Sequence, residues 1–133
     1  MHEIDRVADL LSHVGPAVLL SSDGVGLVHV GRAPRGGARH ESGTLWFLAD
    51  AARVAAWPRE GQPVSLTYHA PALPYFVTLE GVADAVADRD ARAAAWDPRF
   101  APWFPGGPAD PRLALLEVAI TSADCVEWRQ LAG

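Results

Sequence analysis

Trp96-Asp-Pro-Arg-Phe-Ala-Pro-Trp-Phe-Pro-Gly-Gly-Pro-Ala-Asp-Pro-Arg-Leu-Ala-Leu-Leu-Glu-Val118 is the most informative stretch of this 133-residue chain. Between Pro98 and Pro111 it holds five prolines and two glycines around Trp103-Phe104. Proline removes a backbone donor and glycine adds conformational freedom, so the segment is expected to be an irregular loop. Two large aromatic rings in such a loop carry more apolar surface than water tolerates, which makes Trp103 a candidate for burial by a partner subunit or a ligand. Downstream, Leu113 to Ile120 reads as a closing strand, and Asp124 to Trp128 as another. Upstream, Asp88 is placed to cap an alanine-rich helix over Arg89 to Trp96, with Pro98 just beyond its end.

Working back toward the amino terminus, Ile4, Val7, Leu10, Leu11 and Val14 recur at three- and four-residue steps, which predicts an amphipathic helix ending before Gly15-Pro16. Ala17 to Ser22 and Leu27 to Val30 flank the turn dipeptide Asp23-Gly24 and read as a hairpin. Ala33 to Ser42 is rich in glycine and arginine and is expected to be a loop before the strand Thr44 to Leu48. Asp50 can cap a short helix from Ala51 to Trp57, since Pro58 disfavours helical geometry at Trp57. Val64, Leu66 and Tyr68 alternate with Ser65 and Thr67, Tyr75 to Glu80 follows a proline-rich turn, and Val82 to Val86 extends the sheet after Gly81. The order predicts one domain over residues 1–133, mainly β, with an antiparallel barrel and peripheral helices. A small barrel has little room inside, so a ligand is expected on its outer surface or at a subunit interface.

Composition excludes several functions. The net charge is -5, and all eleven cationic residues are arginine, without the clustering that phosphate backbones require, so no nucleic-acid partner is expected. No apolar run approaches the roughly 20 residues of a membrane span, and the first fifteen residues, with Glu3, Asp5, Arg6 and Asp9, do not resemble a secretory signal. A cytoplasmic protein without a membrane partner is the expectation. Cys125 is the single cysteine and has Asp124 and Glu127 as neighbours, which argues for a structural thiol rather than a nucleophile. His2, His13, His29, His40 and His69 show no metal-ligand spacing, so no metal site is expected. Asp23-Gly24-Val25-Gly26 lacks the later glycine and helix of a dinucleotide fingerprint. Ser21-Ser22 is ordinary for a turn flank. No catalytic side chain can be nominated.

The Trp96 to Val118 string, together with Thr44 to Leu48, Val64 to Tyr68 and Tyr75 to Arg89, resembles the general stress protein 26 branch of the pyridoxamine 5'-phosphate oxidase-like FMN-binding split-barrel proteins along nearly the whole chain. The resemblance implies an FMN-binding split β-barrel, a homodimer, and two FMN sites at the dimer interface. It implies that the isoalloxazine ring lies against His29 to Ala33 and Trp46 to Ala49, with the phosphate near the short helix after Asp50. The cofactor-binding candidates are thus Arg32, Ala33, Trp46, Phe47, Leu48, Ala49, Arg53 and Trp103, the last as a wall supplied by the partner. A flat aromatic cofactor with a dianionic tail needs an apolar slot plus cations or helix amides.

The chain departs from the family pattern in two places. Relatives read Arg-Pro-Met where this chain has Gly31-Arg32-Ala33, which puts the arginine on the other face of a regular strand unless a bulge restores it. Relatives usually show a threonine, then a serine and a lysine about six residues on; here Ala49, Ala52 and Arg53 stand nearby, and the connection is two residues shorter. Arg53 can replace the lysine, and the first amides after Asp50 can serve as an anion site, although Asp50 itself repels a phosphate. Two functional readings follow: a flavin-binding protein, with FMN-dependent oxidoreductase activity as one form of it, and a cofactor-free homodimer that has lost the flavin. A deazaflavin or haem is a third ligand that no motif selects.

Overall fold

A computed structural model describes residues 7, 9–11, 17–32, 43–58, 61–69 and 75–127. Six strands form the barrel: β1 (Val18–Ser21), β2 (Gly26–Arg32), β3 (Thr44–Asp50), β4 (Gln62–His69), β5 (Tyr75–Val86) and β6 (Leu113–Glu127). Every pairing is antiparallel, and the ring runs β1-β2-β3-β6-β5-β4, closed where Leu20 and Ser21 of β1 meet Thr67 and Leu66 of β4. Closure leaves no free sheet edge. Helix α1 (Ala51–Val54) follows β3 and helix α2 (Arg89–Ala95) follows β5.

The period-two patterning explains both faces. Leu19, Leu27, Leu45, Phe47, Leu66, Leu79 and Val118 point into the barrel and are fully buried. Val7 and Leu11, in the described part of the amino-terminal helix, join the same core. Each such side chain contributes about 1.5–3 kcal/mol by leaving water. The alternate residues Val28, Trp46, Leu48, Leu113 and Leu115 form a second apolar layer outside the barrel wall, covered by Ala95, Phe100 and Phe104. The proline-rich segment is therefore the lid of a second core.

That segment is more regular than its composition suggests. It contains two 3-10 turns, Pro98–Phe100 and Gly107–Ala109. Asp97 caps the first turn by accepting from Arg99 N. The Asp110 carboxylate accepts from Gly106 N at 2.9 Å and from Arg112 N at 2.9 Å, bridging the two ends of the Pro-Gly-Gly-Pro stretch. Proline costs nothing where side chains rather than a ladder take up the amides, and the two capping aspartates do that here.

Other boundaries moved for local reasons. The helix expected over Ala51 to Trp57 is only four residues long, because Trp57 turns away to donate its indole N–H to Asp23. The runs expected on either side of Gly81 are one strand, β5, with a register shift between Glu80 and Gly81. A Cβ at residue 81 would collide with the carbonyl oxygen of Ala119, so only glycine lets the strands approach there. The two closing strands are likewise one, β6. The loop expected over Ala33 to Ser42, the rest of the amino-terminal helix and Trp128 lie outside the described residues. No helix among the described residues is long and apolar enough to cross a membrane.

Candidate functional site

Strands β2 and β3 carry Arg32, Trp46, Phe47, Leu48 and Ala49 of the residues singled out from sequence. In β2 the register with β3 shifts between His29 and Gly31, so Val28 faces Leu48 and His29 faces Phe47, but Gly31 faces Trp46 and Arg32 faces Leu45. Without the shift, residue 31 would stand opposite Leu45. The bulge therefore sets Arg32 where residue 31 of a regular strand would stand. Gly31 carries it at φ 152°, a backbone conformation that side chains with a Cβ rarely adopt. Ala33 lies outside the described residues.

In β3, Trp46 and Leu48 face the outer layer while Phe47 and Ala49 face the barrel core, and all four are buried. Their backbones are paired on both sides, with β2 and β6, so the polar main chain offers little to a ligand beyond the bulge. Trp46 is only 7% exposed, and its Nε1 has no hydrogen-bond partner among the described residues. An unsatisfied buried donor of this kind costs roughly 1–3 kcal/mol.

The phosphate end is less well provided. Arg53 is exposed on α1, and Ala49 and Ala52 supply no hydroxyl. The first two amides of α1 are already used: Ala51 N donates to Arg112 O at 2.7 Å and Ala52 N to the Asp50 carboxylate at 2.9 Å. The anion site expected from these amides is therefore not there, because the capping carboxylate and a neighbouring carbonyl occupy them. Arg32 and Arg53 also lie toward opposite ends of β3, whose run from Leu45 to Asp50 spans about 16 Å. One phosphate does not readily meet both. Of the residues singled out from sequence, Arg53 alone is placed to meet a phosphate at the α1 end.

Trp103 is 41% exposed and lines a groove of about 220 Å³ with Phe104, Val18, Val28 and Leu48, so it stands over the outer face of its own barrel. Asp50 and Arg112 also line this groove. Arg112, beside the buried Asp110 at 3.5 Å, is the cation that sequence reasoning passed over. Only the fold brings residue 112 next to residue 50.

On the inner face, His29 packs edge-on against Phe47, with ring centroids 5.5 Å apart. Burial lowers its pKa from 6.5 to about 4, so it is a neutral ring at physiological pH, and its Nε2 has no partner among the described residues. Among the described residues no group of three His, Cys, Asp or Glu side chains is arranged to hold a metal ion.

A family model described as pyridoxamine 5'-phosphate oxidase like matches residues 2–130. Solved structures with the same fold include a protein assigned to the general stress family from Xanthomonas campestris pv. campestris, at 20% identity and TM-score 0.66, covering 94% of this chain and 87% of that one. The general stress FMN/FAD binding protein of Xanthomonas citri matches at 19% identity and TM-score 0.64, covering 90% and 87%. A Clostridium acetobutylicum protein related to general stress protein 26 of B. subtilis matches at 14% identity and TM-score 0.66, covering 96% and 91%. No curated protein matches the sequence.

Proposed function

The chain belongs to the pyridoxamine 5'-phosphate oxidase like family, and on that premise we propose that it is an FMN-binding split-barrel protein of the general stress class that works as a homodimer. The observation that carries this reading is the β2 bulge at Gly31, which sets Arg32 opposite Leu45. A chain with no ligand to hold has no need of a strained glycine that recovers one arginine's register. The Xanthomonas citri neighbour, named as an FMN/FAD binding protein, supports the same ligand class.

In this reading the ring lies along β2 and β3, and Arg53 holds the phosphate. Trp103 of each protomer and the exposed Leu20 are covered by the second copy. When bound, flavin supplies hydride or single-electron transfer, and an FMN-dependent oxidoreductase needs no further catalytic side chain. This chain's residues orient the ring and exclude water from it.

One observation favours a second reading, a cofactor-free homodimer. The anion site at α1 is closed by Asp50, and both hydroxyls are replaced by alanine. A visible spectrum of the purified protein and a titration with FMN separate the two. Flavin absorbance, or quenching of flavin fluorescence at micromolar concentration, supports the first reading. A colourless protein that ignores FMN at high concentration refutes it. Arg53→Ala is expected to weaken FMN binding about tenfold, the loss of one charge-assisted contact, and unchanged affinity removes Arg53 from the site. Light scattering tests the dimer, which a monomer at working concentration would exclude.

A further inference from the structure

A larger cavity, about 470 Å³, opens between α1, the carboxyl end of β5 and the start of β6. Its walls are apolar: Val54 and Trp57 on the α1 side, and Val86, Leu113 and Leu115 on the sheet. Its depth comes from the small side chains Ala55, Ala85 and Ala114, where larger residues would fill the space. A second opening of about 590 Å³ shares Ala87, Arg92 and Pro111 with it and continues over α2 past Arg89 and Ala93. The two form one continuous groove.

The charge along this groove is of one sign. Among the described residues the only ionisable side chains lining either part are Arg89 and Arg92, although the chain carries a net charge of -5. Arg92 is half-buried, with Nε donating to Pro108 O at 3.3 Å and Nη2 to Asp110 O at 3.1 Å. Carbonyls orient a guanidinium without neutralising it. Neither Arg89 nor Arg92 has a carboxylate partner among the described residues. The nearest acids in sequence, Asp88 and Asp90, do not line the groove, and the Asp88 carboxylate is engaged with the amide of Asp90 at the helix start.

We propose that this groove binds an amphipathic organic anion, with its apolar body in the alanine-floored cavity and its anionic head at Arg92 and Arg89. The volume lies within the range of small-molecule pockets. The geometry suits a medium-chain carboxylate or an aromatic sulfonate: apolar walls desolvate the body, and a fixed, unneutralised guanidinium at the mouth selects the charge of the head. The proposal does not depend on flavin binding.

The test uses the full-length protein and 8-anilinonaphthalene-1-sulfonate, whose fluorescence rises in apolar surroundings. Saturable enhancement is expected, displaced by decanoate and at least tenfold less effectively by decanol. Arg89→Gln with Arg92→Gln keeps side-chain donors for the Pro108 and Asp110 carbonyls, removes both charges, and should weaken the dye about tenfold or more. Ala85→Phe fills the cavity from an exposed strand position and should abolish binding, while Trp103→Ser, in the other groove, should leave it unchanged. Circular dichroism checks that each variant is folded. The proposal is overturned by absent or unsaturable enhancement, by equal displacement with decanol, by binding that survives in folded Ala85→Phe, or by displacement with FMN at the midpoint of the flavin titration, which would put the dye in the flavin slot.

Discussion

Acid should destabilise this barrel through one side chain, His29. The unfolded chain's imidazole takes up a proton near pH 6.5, whereas the folded one, held among apolar neighbours, does so only near 4. In that window the unfolded state binds a proton that the native state refuses, so this histidine's contribution to stability is full above about pH 6.5, is lost as the pH drops toward 4, and changes no further below. At ~1.36 kcal/mol per pH unit the whole effect is about 3 kcal/mol, of which about 2 kcal/mol is spent by pH 5. That is a large share of the stability of a small domain.

The measurement is urea denaturation at fixed protein concentration, pH 7.5 against pH 5, for the wild type and His29→Leu. Leucine keeps the apolar contact with Phe47 and removes both the titration and the unpartnered nitrogen. The other histidines and the carboxylates are common to both proteins and cancel in the difference. The wild type should lose about 2 kcal/mol more than the variant between the two pH values. If the two curves run parallel to within about 0.5 kcal/mol, His29 is not buried as a neutral ring and the account of the barrel interior fails.

Three further outcomes follow from the site. Asp50→Ser retains a side-chain cap for Ala52 N but removes the carboxylate beside the proposed phosphate, so FMN affinity should rise several-fold, about 1 kcal/mol; an unchanged or weaker affinity in the flavin titration would move the phosphate away from α1. Gly31→Ala forces a Cβ onto a φ of 152° and should cost about 1–3 kcal/mol by urea midpoint while also weakening FMN, because relief of the strain slips Arg32 out of register; a variant of wild-type stability would deny that the bulge is strained. Asp110→Asn leaves a single acceptor for two amides, so hydrogen exchange at Gly106 or Arg112 should accelerate, and rates equal to the wild type would show that the carboxylate does not bridge the loop. The backbone N–H of Arg112 first, then that of Gly106, holds the Asp110 carboxyl below its ordinary pKa of 3.8. The bridge is accordingly complete above about pH 4 and lost as the pH falls through the lowered value.

The barrel was legible because its information is local. Alternation in Val64 to Tyr68 marks a half-buried strand whatever it pairs with, and Asp23-Gly24 marks the hairpin without knowledge of the sheet. What local patterns cannot reveal is where two segments are brought together. Asp110 looks like a loop residue until Gly106 and Arg112 are seen to share its carboxylate, and the regularity of the proline-rich lid depends on that bridge. The missing hydroxyls were visible as Ala49 and Ala52, but that both α1 amides are occupied depends on Arg112, more than fifty residues away in sequence.

The same reasoning decides how Gly31 should be weighed against Asp50. Taken alone, Gly31-Arg32 looks like a lost ligand, because an arginine displaced by one residue faces the wrong way on a regular strand. Paired with β3, the bulge sets Arg32 opposite Leu45, where residue 31 of a regular strand would stand. Asp50 moves in the opposite direction: from sequence it is a cap that leaves its helix amides for an anion, and in the fold it and the Arg112 carbonyl consume them. On the proposed flavin reading, the ring end of the slot is therefore better supported than the residues suggest, and the phosphate end worse. A ligand with a flat apolar ring and little anionic tail should compete well here, so lumiflavin, which lacks the ribityl phosphate, is expected to bind within about tenfold of FMN, a deficit of about 1.4 kcal/mol. Parallel titrations measure that ratio. A hundredfold or greater preference for FMN would mean that Arg53, or a group from the second protomer, grips the phosphate far more firmly than one exposed guanidinium can.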